Sequence, residues 1–244
     1  MIVNMRPNDR LELIYQPAHA AMAAQIAARW RWDSPPRRWW LTLIAIAQHD
    51  NGWVESELAP NRTSEGRPCN FTERTTEEAI GQWRRGVARG VHQDRWIGLL
   101  IARHAWRLYA PNRGEEAVQD EWLDELAAQQ AAWRAALGVS EAELAQADAL
   151  MRWSDWCSLA LCWRRLPESG EPFSLGEGPD GRRYEIRAVE AQQLTVDPWP
   201  FDVERFDLTV ESRTLPQPRF ATPSALQSAI ANATVEPRQW AVVR

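Results

Sequence analysis

Five residues stand out as able to do chemistry: His19, His49, Asp50, His104 and Asp155. Each is ionisable and set in an apolar, helical-looking stretch. The run "LTLIAIAQHDNGWVE" leads apolar residues straight into His49-Asp50 before a turn at Asn51-Gly52. Asp155 interrupts "LMRWSDWCSLALCW", which is apolar nearly all round, the pattern of a buried helix. A carboxylate in such a place must be paired, hydrogen-bonded, metal-bound or protonated. His104 has Leu100, Ile101 and Leu108 at helical contact spacing, and His19 shares a face with Met22 and Ile26.

One arrangement answers all of these needs. If the helices carrying His19, His49-Asp50 and Asp155 pack round a common point, imidazole nitrogen and carboxylate oxygen together suit one or two divalent transition metal ions, Mn, Fe, Zn, Ni or Co. His104, and His92 if it turns inward, become second-metal ligands or contacts for substrate oxygens. Metal-free alternatives exist for each group. His19 could be solvated near a helix start, and His49 could meet terminal carbonyls. His104 could be a hydrogen-bonded core histidine. His92, in "ARGVHQDRW", could lie exposed in a loop, and Asp155 could pair with Arg29, Arg103 or Arg107.

The elements that must position these groups are mostly helical. A first helix is expected from Pro17 to about Trp32, and a second from Pro35-Pro36 to about Asp50. A polar, irregular segment over 51–74 is long enough to suggest a functional loop. Thr75 with Glu78, and Ser140 with Glu143, are capping-box patterns that open later helices. Between them fall helices over 94–109 and about 114–136, and the last runs to about Arg165. After Pro167 the pattern changes. "RRYEIRAVE", "RFDLTVESRTL" and "QWAVV" read as strands, "SALQSAIANA" as a short helix, and "DPWPF" as a turn or extended edge. The expected fold is therefore mainly α, with a helical core over 1–166 and a small α+β extension over 167–244 packed on it.

Composition narrows the partners. The 244 residues are 45% hydrophobic and 25% charged, ordinary for a globular protein. A formal charge of −5 provides no basic footprint for nucleic acid. No run approaches the roughly 20 apolar residues that span a bilayer, and the N-terminus lacks a signal-peptide core. Three cysteines, Cys69, Cys157 and Cys162, make no disulfide framework. The expectation is a cytoplasmic protein with a small-molecule substrate, no nucleic-acid or membrane partner, and a homodimer left open. The 15 tryptophans read as large core or cleft-lining groups.

The order His19, His49-Asp50, Asp155 resembles the HD domain, a helical metal-dependent phosphohydrolase superfamily, over about residues 10–166. The stretches "HDNGW", "ARHAWRLY", "SDWCSLALC" and "DPWPF" resemble, more narrowly, the bacterial DUF3891 family, a domain of unknown function. The HD resemblance implies an HD-like helical bundle core, with His19, His49, Asp50 and Asp155 as metal ligands. It implies a phosphohydrolase in which Asp50 ligates and orients the nucleophile and His104 contacts phosphate or acts as general acid. Arg107 and Arg103, on the helix of His104, would bind phosphate oxygens. The binuclear branch adds two histidines between the His-Asp pair and the last Asp, the interval of His92 and His104. That leaves a diiron oxygenase as one alternative and a non-catalytic binding or interaction module as another. The HD pair is followed by Asn51 and Gly52 rather than Lys or Arg, which departs from nucleotide-cleaving members.

Overall fold

The computed structural model describes residues 1–167 and 170–244. Among them the chain forms seven strands and eight α-helices in the following order. The N-terminal part holds β1 (Ile2–Arg6), β2 (Arg10–Ile14), α1 (Gln16–Ala27), α2 (Trp39–Gln48) and the short α3 (Val54–Leu58). Next come α4 (Thr76–Gln93), α5 (Arg95–Tyr109), α6 (Ala117–Leu137) and α7 (Glu141–Cys162). The C-terminal part holds β3 (Phe173–Glu177), β4 (Arg183–Glu190), β5 (Gln193–Asp197), β6 (Arg205–Leu215), α8 (Pro223–Ala231) and β7 (Thr234–Val243).

All seven strands join one sheet in the order β1-β2-β6-β7-β5-β4-β3. The β5–β7 pair is parallel, and the other pairs are antiparallel. The expectation of a mainly α, HD-like bundle with a small α+β extension is thus overturned. The fold is α/β, and the sheet is built from both ends of the chain. The physical reason lies at residues 1–14. "IVNMR" and "RLELI" are each one short strand, and they form a hairpin because Asn8 and Asp9 accept positive φ (61° and 54°) in the turn. β2 then pairs with β6, with Leu11 opposite Leu215 and Leu13 opposite Arg213. Leu11, Leu13 and Leu215 pack with Phe220, Leu226 and Ile230 beneath α8. Ile2 and Ile14 face the main core.

The helices cover the other sheet face. Along β6, Phe206, Leu208 and Val210 point inward while Asp207, Thr209 and Glu211 point out, the alternation of a half-buried strand. Trp30, at the end of the first helical segment, and Trp153 of α7 pack on each other at 5.0 Å, and both pack on Tyr184 of β4. "DPWPF" clasps the end of α1: Arg31 N–H donates to Pro200 O, and Asp202 N–H to Arg29 O.

The sheet also fixes the C-terminus of α7. Asn4 donates to Cys162 O at 2.7 Å, and Arg238 donates to Leu161 O and Cys162 O at 2.8 and 3.0 Å. A cation over the last helical carbonyls complements the helix dipole. Glu12 on β2 gathers this group, pairing with Arg164 at 2.7 Å and Arg238 at 3.4 Å. Burial opposes charge on Glu12, but the Arg164 and Arg238 guanidiniums hold its carboxyl below the usual range. No helix among the described residues is long and apolar enough to cross a membrane.

Candidate metal centre

Three helices and one turn bring the ionisable groups together. α1 is rich in alanine, so α2 and α7 approach it closely, and its His19 sits 1% exposed between them. α2 ends at Gln48, leaving His49 at its cap and Asp50 just beyond. A 3₁₀ turn over Asn51–Trp53 follows. That turn lies directly on α4: a Cβ at Gly52 would stand 2.1 Å from Gln82 O, so only glycine fits. Arg85 donates to Gly52 O at 3.3 Å, and Arg89 to Asn51 O, which pins the turn and hence Asp50. Asp155 lies on α7 one turn before Ser158, and His104 on α5.

The hydrogen bonds fix which ring nitrogens are free. His49 Nδ1–H donates to Ile46 O at 2.8 Å, so Nε2 carries the lone pair. Ser158 gives its only hydroxyl proton to Asp155 O at 2.9 Å. It therefore accepts from His19 Nδ1–H at 2.8 Å, and His19 Nε2 is also a lone-pair donor. These two nitrogens converge on two carboxylates. His19 Nε2 lies 2.8 Å from Asp50 Oδ2 and 3.7 Å from Asp155 Oδ1. His49 Nε2 lies 3.6 Å from Asp50 Oδ2 and 3.4 Å from Asp155 Oδ1. Asp155 Oδ1 is buried with no hydrogen-bond partner among the described residues.

Four lone-pair atoms facing one another need a proton or a cation between them. Without a cation, protons serve. Burial pushes His49 down, yet Asp50 and Asp155 prevail and raise it to about 9. Burial pushes Asp50 and Asp155 up, but His49 and His19 hold both below the usual carboxylate range. The donor set also fits a transition metal. One donor atom from each of His19, His49 and Asp155 lies within 4.8 Å of the others, and Asp50 flanks this trio on the side of the two histidines. Nitrogen and oxygen ligands at about 2.0–2.2 Å from one ion sit roughly 3.0–3.5 Å apart, close to these separations. The Ile46 carbonyl and the Ser158 hydroxyl already orient the two rings, as outer partners of metal-bound histidines do.

His104 completes the cluster. Its Nε2 is 3.6 Å from Asp155 Oδ2, and its Nδ1 is buried without a hydrogen-bond partner among the described residues. Burial, reinforced by His49, lowers its pKa against the pull of Asp155, so it rests as neutral imidazole. All five groups line a cavity of about 620 Å³.

Three residues expected at the site lie elsewhere. His92 is exposed in the last turn of α4, where its Nδ1–H bonds Ala88 O at 2.8 Å. Arg107 turns to Asp148, its Nε at 2.5 Å, while Arg103 donates to Glu141 at 2.6 Å and stands 3.5 Å from Asp148. Asp148 is 0% exposed, and a buried carboxylate draws in counter-charges. Arg152 is the third, at 3.4 Å, and unlike the other two it also lines the metal-site cavity, as does Arg74. Ser158 was readable in principle: it lies three residues after Asp155, on the same helix face. Nothing local in the sequence marks Arg74 or Gln16, which reach the cavity from an irregular segment and a helix start.

The family described as "Protein of unknown function (DUF3891)" matches residues 1–217, and the chain belongs to it. The match covers the whole ligand cluster and stops short of α8 and β7. No curated protein matches the chain, and no solved structure does.

Proposed function

We propose that this DUF3891 member is a metal-dependent phosphohydrolase acting on a small-molecule phosphate ester. The observation that carries the reading is the buried Asp155 Oδ1, without a hydrogen-bond partner among the described residues, facing the Nε2 atoms of His19 and His49, beside Asp50, on the wall of a large cavity. The order and convergence of these residues also support the likeness to HD-domain enzymes, although the sheet is foreign to that helical pattern.

His19, His49, Asp50 and Asp155 would hold one divalent ion of Mn, Fe, Zn, Ni or Co. Such an ion polarises a phosphoryl oxygen and acidifies a water. The chain's own groups do the rest. Asp50, on a turn pinned by Arg85 and Arg89, is placed to accept a proton from water at the cluster. His104, neutral and oriented by Asp155, offers one hydrogen bond to the substrate. Arg74 and Arg152 line the same cavity and supply the charge that a phosphate needs, in place of Arg103 and Arg107. His92 stands outside the cluster, so the two-iron alternative lacks its sixth ligand.

The test is hydrolysis of a phosphate-ester panel by protein reconstituted with each metal in turn. The reading expects release of inorganic phosphate that disappears in Asp50→Asn and falls by 10- to 100-fold in His104→Gln, the scale of a positioned proton or hydrogen-bond partner. Metal-loaded protein that cleaves no ester would refute it.

A further inference from the structure

The cavity is far larger than a phosphoryl group needs. It is a cleft open to solvent on one side, and about 620 Å³ is the size of a pocket for a whole small molecule. Its wall is a run of aromatic rings. Trp53 meets Phe71 edge-on at 6.0 Å, Phe71 stacks on Trp163 at 5.3 Å and 20°, and Trp163 meets Trp156 at 6.5 Å. These rings come from separate segments, the turn after His49-Asp50, the turn at Phe71–Glu73, and the end of α7. Trp83 of α4 adds another ring, 5.8 Å from His104.

The polar groups left free for a ligand are few. The Thr75 hydroxyl is committed to Glu78 N–H at the start of α4, and the Thr76 hydroxyl donates to Glu116 at 2.7 Å. Gln16 Oε1, on a residue 1% exposed, has no partner among the described residues. Arg74 lies over Trp53 at 5.5 Å and pairs loosely with Glu78 at 3.6 Å, and its Nε is likewise without a hydrogen-bond partner among the described residues. Thr72, Tyr109 and Arg152 also line the cavity, but most of its wall is apolar and aromatic. Such a wall with guanidiniums at its edge suits an anionic head on a flat apolar body.

We propose that the pocket takes phosphate monoesters of planar aromatic alcohols, with Phe71, Trp53 and Trp163 selecting the ring and Arg74 the anionic end. The inference rests on the phosphohydrolase reading of the same site. In the reaction, water oxygen bonds to phosphorus, the ester P–O bond breaks, and the water's proton ends on the departing aryl oxygen or on phosphate. No oxidant or further reactant is needed. An aryloxide, with a pKa of about 10 for a phenol, is a good enough leaving group to need little protonation.

The test reads binding as well as turnover. Tryptophan fluorescence of the metal-loaded chain is titrated with phenylphosphonate and 1-naphthylphosphonate, which cannot be hydrolysed, and with methylphosphonate and ribose 5-phosphate. Saturable quenching by the aryl compounds, at least tenfold tighter than by the other two, is expected. Phe71→Leu should weaken aryl binding by tenfold or more while leaving inorganic phosphate binding and metal content unchanged. Arg74→Gln, which removes the guanidinium over Trp53, should weaken all the phosphonates alike. Aryl binding with no ester cleaved would keep the selectivity and remove the hydrolase reading. Cleavage of ribose 5-phosphate with equal or tighter binding than the aryl compounds, or aryl binding untouched by Phe71→Leu, would overturn the selectivity and leave the reaction standing. No binding of any phosphonate would overturn it as well.

Discussion

At the scale of single residues, the proposed metal would compete with protons for the site. His49 is raised from 6.5 to about 9 by the carboxylates around it, despite burial. A raised histidine stabilises the metal-free fold fully below its unfolded value, and the contribution is lost as pH climbs through the folded value. The two lowered aspartates act in the opposite direction. Their contribution is present above the ordinary 3.8 and is lost on acidification. Thermal unfolding of the metal-free chain should therefore show Tm falling between pH 6.5 and about 9. Metal uptake should run the other way, because His49 must give up its proton to bind. Below pH 9, apparent affinity should rise about tenfold per pH unit if one proton is released, which competition titration at several pH values can check. A pH-independent affinity would mean that His49 is not a ligand. The places of His49 and Asp155 in a buried polar cluster could be read from the sequence because an ionisable side chain in an apolar helix demands a partner. Those of Arg103 and Arg107 could not. Arg107 is drawn to Asp148, a carboxylate that looks like any surface acid until α7 is seen to be buried on that side, and Arg103 is taken by Glu141.

At the scale of elements, two joints hold the ligands in place. The first is the turn at Asn51–Trp53 against α4. Gly52→Ala would place a methyl 2.1 Å from a backbone carbonyl, so the turn must move and carry Asp50 with it. A loss of roughly 1–3 kcal/mol in stability is expected, the scale of overpacking, together with a larger loss of metal affinity than Gly81→Ala causes. At Gly81, by contrast, a Cβ meets only an arginine side chain at 3.6 Å. The second joint is Glu12 with Arg164 and Arg238 at the end of α7. Glu12→Gln leaves the half-buried arginines short of charge. Chemical denaturation should show a loss of roughly 2–4 kcal/mol, below the top of the buried-pair range because Arg164 is partly solvated. The helices themselves were legible. The capping box closes where Thr75 predicts α4, and Ser140 caps α7, although the Glu143 carboxylate turns to Arg38 and leaves that box half made. The short strands were not, since five residues of β1, β2, β3 or β5 carry too little periodicity to stand out. β7 extends back past Pro237, a residue that argues against a strand. It is tolerated because β5 pairs only at Ala241 and Val242, so β7 has one neighbour at Pro237.

At the scale of the molecule, the sheet is a scaffold for the helix that carries Asp155. Strands from both ends of the chain pin α7, and α7 carries Asp155 and Ser158. The sequence divides at Pro167 by pattern, yet Trp30 and Trp153 pack across that division onto Tyr184 and Phe201. Such long-range pairings leave no local trace, which is why the sheet topology is not legible in the sequence. A chain ending at residue 166 should lack a cooperative thermal transition, because those tryptophans lose their cover.

The account stands or falls on one measurement: metal content of the reconstituted chain, by elemental analysis, for the wild type, Asp155→Asn and His92→Ala. One ion per chain in the wild type and in His92→Ala, and less than a tenth of that in a folded Asp155→Asn, is the predicted result. Wild-type protein that takes up no ion, or an Asp155→Asn variant that keeps it, would contradict the central claim that these buried lone pairs converge on a metal.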